Sequence, residues 1–279
     1  MTYNKSLRKA LTLLRLFTPD RPEQSGAEIA RHMNMHKTST YRLLDAFREE
    51  GFLARDPNTG RYSIGPDLYI TGNLFLKTND LLRTADPVIR LLNDLTGEVA
   101  NMSILDKGFI TLVLREESRY DFRWSRHVGS VLPAYVSAMG WALLSDLSDD
   151  DIDSLYPEKL EPYTQHTVTT REALKQELRV VRTTGIAFDF EGAVPLLVGI
   201  GSPVRNSSDR TIAAISISVP SFRFDERKRQ LYAQLVYNAA QLVSRDLGNE
   251  AARTAIESVE GLRSWWAVEC ERLPQLEGA

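Results

Sequence analysis

One cysteine, Cys270, stands in the 279 residues of the chain. That scarcity excludes an internal disulfide framework and any metal site built from several thiolates. Also missing is an apolar run approaching the roughly 18 residues needed to span a bilayer. The four histidines, His32, His36, His127 and His166, are scattered, without the spacing of a metal site. Asp189 and Glu191 lie close in sequence, yet no neighbouring histidine or cysteine completes a catalytic set with them. The N-terminus, MTYNKSLRKALTLLRLF, is basic and partly apolar but lacks the continuous apolar core and small-residue cleavage site of a signal peptide. There are no internal repeats and no low-complexity tract. The expectation is a cytoplasmic chain that does not enter membranes, needs no cofactor and is not an enzyme.

Hydrophobic content of 43% and charged content of 25% are those of a globular protein long enough for two domains. The net charge of −3 conceals a split. Residues 1–66 carry 11 Lys and Arg against 7 Asp and Glu, a net of +4, whereas the remainder, with 23 against 30, is −7. Only the N-terminal part is suited by charge to a phosphate backbone.

The stretch GAEIARHMNMHKTSTYRLLDAFREEGFLARDPNTGRYSIG, Gly26 to Gly65, has the layout of a winged helix-turn-helix. Before it, Ser6–Phe17 forms an amphipathic helix, with Ser6 as its cap and Pro19 as its stop. Ser25 caps a second helix ending at His32, with Ala27, Ile29, Ala30 and Met33 inward. A third helix covers Lys37–Glu50 and stops at Gly51. Phe52–Arg55 and Arg61–Ile64 form a hairpin around a turn-rich Asp56–Gly60. Asp67–Leu82, with Leu68, Ile70, Leu74, Phe75 and Leu81, is an apolar connecting helix.

On the third helix, Thr40, Leu43, Leu44 and Phe47 recur at helical spacing and point inward. That leaves Lys37, Thr38, Ser39, Tyr41, Arg42 and Asp45 outside, with a cation, hydroxyls, a phenol and an arginine near the end that enters the major groove. Arg42 can pair bidentately with guanine. Ser25 can offer its hydroxyl and backbone N–H to phosphate, and Arg55, Arg61 and Tyr62 belong to the wing beside the backbone. His36 reads equally as a phosphate contact and as a structural turn residue.

The second domain starts near Thr84. Its pattern is a helix from Pro87 to Leu95, strands Val99–Leu105 and Phe109–Glu116, an extended Arg119–Val131, and helices Ser137–Leu144, Ser148–Leu155 and Thr170–Thr183. Strands Ile186–Phe190, Val198–Val204 and Ile212–Val219 follow, then a long helix Asp225–Leu247 and a helical tail Glu250–Cys270. Strands joined by short hairpins and followed by helices predict an α+β domain with a mainly antiparallel sheet. The expected divisions are 1–66, a linker helix 67–83, 84–249, and the tail 250–279.

EIARHMNMHKTSTYRLL followed by EEGFLARDPNTGRYSIG resembles the IclR family of bacterial transcriptional regulators. VLPAYVSAMGWALL, GIAFDFEGAVPLLVGIGSPV and IAAISISVP match, in order, motifs of that family's second domain, and the resemblance covers about residues 6–247. It implies a GAF-like small-molecule sensor. The polar end of its pocket would fall at the backbone N–H groups of Ala138 and Met139 and at the side chains of Asp189, Ser216 and Ser218. Gly199 stands where the family usually has cysteine, Trp141 where it has lysine, and Tyr135 where it has histidine. If Trp141 and Tyr135 face inward, the effector is expected to have an aromatic body and a carboxylate head.

The expected protein is a homodimer or homotetramer that binds a double-stranded DNA operator under the control of a small molecule. The apolar faces of Leu7–Phe17 and Leu68–Leu82 are its expected contact surfaces. Two alternatives are an enzyme with a DNA-binding appendage and an architectural DNA-binding protein whose second domain has a filled core.

Overall fold

The computed structural model describes residues 4–18, 20–120, 126–252 and 254–272, with the side chains of 75–77 outside that description. Pro19, the Phe75 side chain, residues 121–125 of the expected extended stretch and residues 273–279 of the tail therefore lie outside that description. The chain forms two compact units, Met1–Asn79 and Asp80–Ala279.

The first unit begins with α1 (Lys5–Leu14), whose cap is Asn4 rather than Ser6. The Asn4 carboxamide oxygen accepts from the N–H groups of Ser6 and Leu7, which places Ser6 inside the first turn. α2 (Gly26–His32) opens on a capping box in which Ser25 and Glu28 bond each other reciprocally. Asn34, at φ 49°, turns the chain towards α3 (Lys37–Glu49), a conformation asparagine tolerates. β1 (Leu53–Arg55) and β2 (Tyr62–Ile64) pair antiparallel as the wing. The Asp56 carboxylate closes their turn by accepting from the Asn58 and Thr59 N–H groups. α4 (Pro66–Thr78) follows.

Leu13, Ile29, Leu44, Leu53 and Tyr62 form the core of this unit. Ala27, expected inward, is exposed, because the inward stripe of so short a helix is filled by Ile29 and Ala30. Leu7, Leu11, Tyr69, Ile70 and Leu74 are all more than half exposed.

The expected single connecting helix is in fact two, since α4 ends at Thr78 and α5 (Asp80–Thr96) starts beyond Asn79. Pro87 does not open a helix as its sequence position suggested. It lies inside α5, whose earlier turns bury Leu82 and Ala85.

In the second unit β3 (Val99–Asp106), β4 (Phe109–Glu116), β5 (Val131–Pro133), β6 (Ala187–Phe190), β7 (Leu197–Arg205) and β8 (Thr211–Pro220) form one sheet, ordered β5-β4-β3-β8-β7-β6 and antiparallel throughout. The α+β architecture read from the sequence is the one observed. Helices α6 (Ala138–Leu144), α7 (Asp149–Leu155), α8 (Arg171–Thr184), α9 (Glu226–Asp246) and α10 (Val259–Arg272) complete the unit.

Alternation along each strand sorts the side chains onto two faces. Ala100, Met102, Ile215, Ile217 and Val219 join the core shared with α5 and α9. Ile110, Leu112, Ala187 and Ala214 join the core shared with α6 and α8. On this second face β8 also presents Ser216 and Ser218, so that layer is interrupted by polar groups.

Among the described residues the tail is helical only from Val259, and before it Arg245 of α9 donates to the carbonyls of Ile256 and Glu257. Leu262 is fully buried against the α5/α9 core, with Trp265, Trp266 and Cys270 packed beside it. The Trp266 ring stacks on Tyr232 with centroids 5.9 Å apart. Leu262→Ala is expected to destabilise the second unit by about 2–5 kcal/mol in denaturant unfolding. Val268→Ala, at a position 47% exposed, is expected to change stability by less than about 0.5 kcal/mol.

Candidate functional sites

On α3 the buried residues are Thr40 and Leu44. Lys37, Thr38, Ser39, Tyr41 and Arg42 form an exposed strip at its N-terminal half. His36 occupies the cap position of α3 without a side-chain cap hydrogen bond and is exposed. The strip carries hydrogen-bond donors and two cations on a helix narrow enough for a major groove.

Three expected DNA contacts are otherwise engaged. Both the N–H and the hydroxyl of Ser25 donate to the Glu28 carboxylate, at 2.7 and 2.8 Å. Ser25 is thus spent on its own helix cap. Arg61 donates to the same carboxylate at 3.1 Å and to the Glu23 carbonyl at 2.9 Å, fastening the wing to α2. The Ser25 donors and the Arg61 charge hold the Glu28 carboxyl below its ordinary pKa. Tyr62 is 1% exposed and belongs to the core, so its ring cannot reach a backbone phosphate. Arg55 is the exposed cation of the wing; its guanidinium lies 5.5 Å from the Tyr62 ring centroid and donates to the Gly60 carbonyl.

In the second unit a small cavity, open in part to solvent, lies between α6 and the sheet. Its walls include Leu112, Leu132, Met139, Val194 and Leu197, and its polar lining includes Arg126, Asp189, Ser216 and Ser218. Ala138, Met139, Asp189, Gly199, Ser216 and Ser218 therefore come together around one space.

Two glycines let α6 approach the sheet this closely. A Cβ at Gly201 would lie 2.9 Å from the carbonyl of Ala138, and one at Gly140 would strike the Ala134 carbonyl oxygen. At Gly199 an added Cβ would meet Ala138 and Asp189 at 3.4 and 3.6 Å, near ordinary contact. Its missing side chain therefore leaves room on the cavity side.

Asp189 is 4% exposed. Its carboxylate oxygens accept from the N–H groups of Gly192 at 2.7 Å and Ala193 at 3.2 Å. Burial nevertheless dominates and pushes its pKa up to about 7, the two N–H groups opposing the shift and the charges of Glu177 and Glu191 adding to it. The Ser216 hydroxyl, 2% exposed, has no hydrogen-bond partner, and neither has the Nδ2 of Asn101, its cross-strand neighbour. Ser137 is used to cap α6, accepting from the Gly140 N–H.

Trp141 and Tyr135 do not line the cavity. Trp141 is 5% exposed and its indole donates to the Tyr135 carbonyl at 2.7 Å. Tyr135 is 6% exposed, donates to the Glu161 carbonyl and packs edge-on against Tyr156. Both belong to the hydrophobic core, and with them goes the expectation of aromatic cavity walls. Sequence reasoning also missed Arg126, because it stands in a stretch read only as extended.

The family model for the IclR helix-turn-helix domain matches residues 6–57, and that for the bacterial transcriptional regulator IclR C-terminal domain matches residues 74–245. The chain belongs to the IclR family of bacterial transcriptional regulators. It is a DNA-binding regulator with an effector-binding C-terminal domain. It is 30% identical over 244 residues to the HTH-type transcriptional regulator KdgR of Escherichia coli K12, covering 87% of this chain and 92% of that protein. The IclR transcriptional regulator from Alicyclobacillus acidocaldarius shares its fold with a TM-score of 0.80 at 24% identity, covering 88% of this chain and 100% of that one. An IclR homologue from Microbacterium hydrocarbonoxydans, complexed with 4-hydroxybenzoate, shares the fold with a TM-score of 0.77 at 22% identity, covering 87% and 99%. α10 lies beyond the matched C-terminal domain.

The cavity yields two expected outcomes. An aspartate whose folded pKa is raised binds its proton more tightly folded than unfolded, so its cost appears as pH rises. Stability should therefore fall from about pH 4 to about pH 7 through Asp189, by up to a few kcal/mol. Urea titrations across that range should show the slope flattened in Asp189→Asn. Gly199→Ala is expected to fold with a near-unchanged thermal midpoint, whereas Gly201→Ala, with no room for its methyl group, should lower it by several degrees.

Proposed function

We propose that the cavity between α6 and the sheet binds a small organic acid and that its occupancy changes how two copies of the winged unit are held on one operator. The observation that carries this is a cavity whose lining includes the buried, unpartnered hydroxyl of Ser216. Native proteins rarely leave such a group without a partner, and a bound ligand supplies one. The cavity also separates this reading from that of an architectural protein with a filled second domain. The Microbacterium homologue supports the ligand class, since the same fold there holds an organic acid.

The DNA-reading residues are the exposed strip on α3, Lys37, Thr38, Ser39, Tyr41 and Arg42, with His36 at its start and Arg55 of the wing beside the backbone. One short recognition helix gives limited discrimination, and two copies read a near-palindromic site. The exposed Leu7 and Leu11 of α1 and Tyr69, Ile70 and Leu74 of α4 fit a homodimer contact, and pairs of dimers fit a homotetramer. Allostery follows if the effector binds one arrangement better than another. The protein acts in the cytoplasm and performs no chemistry on its ligand. Recovery of an altered ligand after prolonged incubation is the result that would restore the enzyme reading.

The DNA-facing assignment is tested with an operator selected in vitro from random duplexes. Arg42→Ala should cost about 1–3 kcal/mol at one base pair and relax preference there, while Lys37→Ala should weaken all sequences alike and reduce the salt slope by about 1. Unchanged operator affinity in both variants, measured by fluorescence anisotropy, would mean that α3 faces elsewhere.

A further inference from the structure

Arg126 and Asp189 are the two titratable groups among the described residues lining the cavity; Asp189 stands on β6 at one edge of the sheet, and Arg126 on the connection between β4 and β5 at the other. Asp189 of β6 pairs with Gly199 of β7, which pairs with Ser218 of β8. Ser216, two residues along β8 on the same face, pairs with Asn101 of β3, which pairs with Arg115 of β4. Arg126 follows on the connection from β4 to β5. It lies close enough to Arg115 for the like charge to act on it, while the charges acting on Asp189 are Glu177 and Glu191. Across the sheet the sequence of polar groups thus runs from a buried carboxyl through two hydroxyls to a guanidinium.

The two ends differ in what they can receive. Arginine keeps its charge in proteins and offers planar donors that match a carboxylate. Burial weakens the guanidinium's hold on its proton, which is the environment in which an arriving anion is worth most. At the other end the oxygens of Asp189 already accept two backbone N–H groups, and the charges around that carboxyl are acidic. A second anion there would meet repulsion, whereas a hydroxyl can donate to the carboxylate or accept from the acid. Between them the Ser216 hydroxyl waits for a partner.

Building on the effector-pocket reading, we propose that Arg126 selects the charge of the effector, pairing with the single negative group of a small organic monoanion whose far end, towards Asp189 and Ser218, bears a neutral hydrogen-bonding group. Monocarboxylates with a hydroxyl at the opposite end fit; neutral amides and dicarboxylates of the same shape do not.

Calorimetry on the full chain at neutral pH tests this with three matched probes, 4-hydroxybenzoate, 4-hydroxybenzamide and terephthalate, and with the smaller pair 3-hydroxypropanoate and 3-hydroxypropanamide. The hydroxy acid of at least one pair should bind, its amide at least about 10-fold more weakly; terephthalate should bind at least about 10-fold more weakly than 4-hydroxybenzoate. Arg126→Gln should lose about 10- to 100-fold for the acid and little for the amide, erasing the distinction between them, while Arg126→Lys recovers part of it. An unchanged thermal midpoint without ligand shows that the variants are folded. Wild-type affinity for the acid in Arg126→Gln, equal binding of acid and amide by the unaltered protein, or tight binding of terephthalate overturns the proposal and leaves the pocket reading standing. Failure of every acid to bind overturns both.

Discussion

The pressing of α6 onto β7 is the constraint from which the second unit's site follows. Gly201 lets the start of the helix lie against the strand, Gly140 lets its next turn pass the Ala134 carbonyl, and the Trp141 indole locks the preceding turn through the Tyr135 carbonyl. A helix held so near a sheet would ordinarily exclude all space between them. Here the strands beneath it carry serine at 216 and 218 and no side chain at 199. A cavity persists where larger apolar residues would have closed it. On the opposite face Ile200, Val204, Ile215, Ile217 and Val219 pack against apolar side chains of α5, α9 and α10. One face is built around an apolar core, and the other keeps an unfilled, partly polar space.

Asp189 illustrates that exchange at a single residue. Its carboxyl is buried, bonded to two backbone N–H groups, and still displaced upwards in pKa because desolvation outweighs them. A leucine there would suit the burial and could not hold the turn at Gly192 and Ala193. The same carboxyl that shapes the turn also lines the cavity, so local backbone geometry and the polarity of that space are set by one side chain.

The DNA-reading unit was legible where the signal was local. The capping box of Ser25 and Glu28, the helical spacing of Thr40 and Leu44 and the turn residues of the wing are short-range patterns, and the third helix emerged with its expected face outward. Errors arose where a side chain's partner lies far along the chain. Arg61 finds Glu28, and Tyr62 fills the space above Leu13 and Ile29, although alternation along a three-residue strand could not tell the inward from the outward face. In the second unit, family resemblance brought Ala138, Met139, Asp189, Gly199, Ser216 and Ser218 to one cavity. It could not say that Trp141 turns inward to a backbone carbonyl, because an aromatic residue on a short helix has the same spacing whether it meets ligand or core. Arg126 was invisible because no periodicity marks a connection between strands.

The clasp between Glu28 and Arg61 has a consequence for how the protein meets DNA. A duplex is sheathed in condensed cations, and a protein gains affinity by displacing them with its own charges. An arginine already held by a carboxylate displaces none without first surrendering that partner. The wing's electrostatic reach then rests on Arg55, and the first unit's basic residues divide into those that hold the unit together and those free to replace ions around the helix. The response of binding to added salt therefore counts a geometry, the number of cations facing outward, and not the composition from which a basic domain is ordinarily inferred.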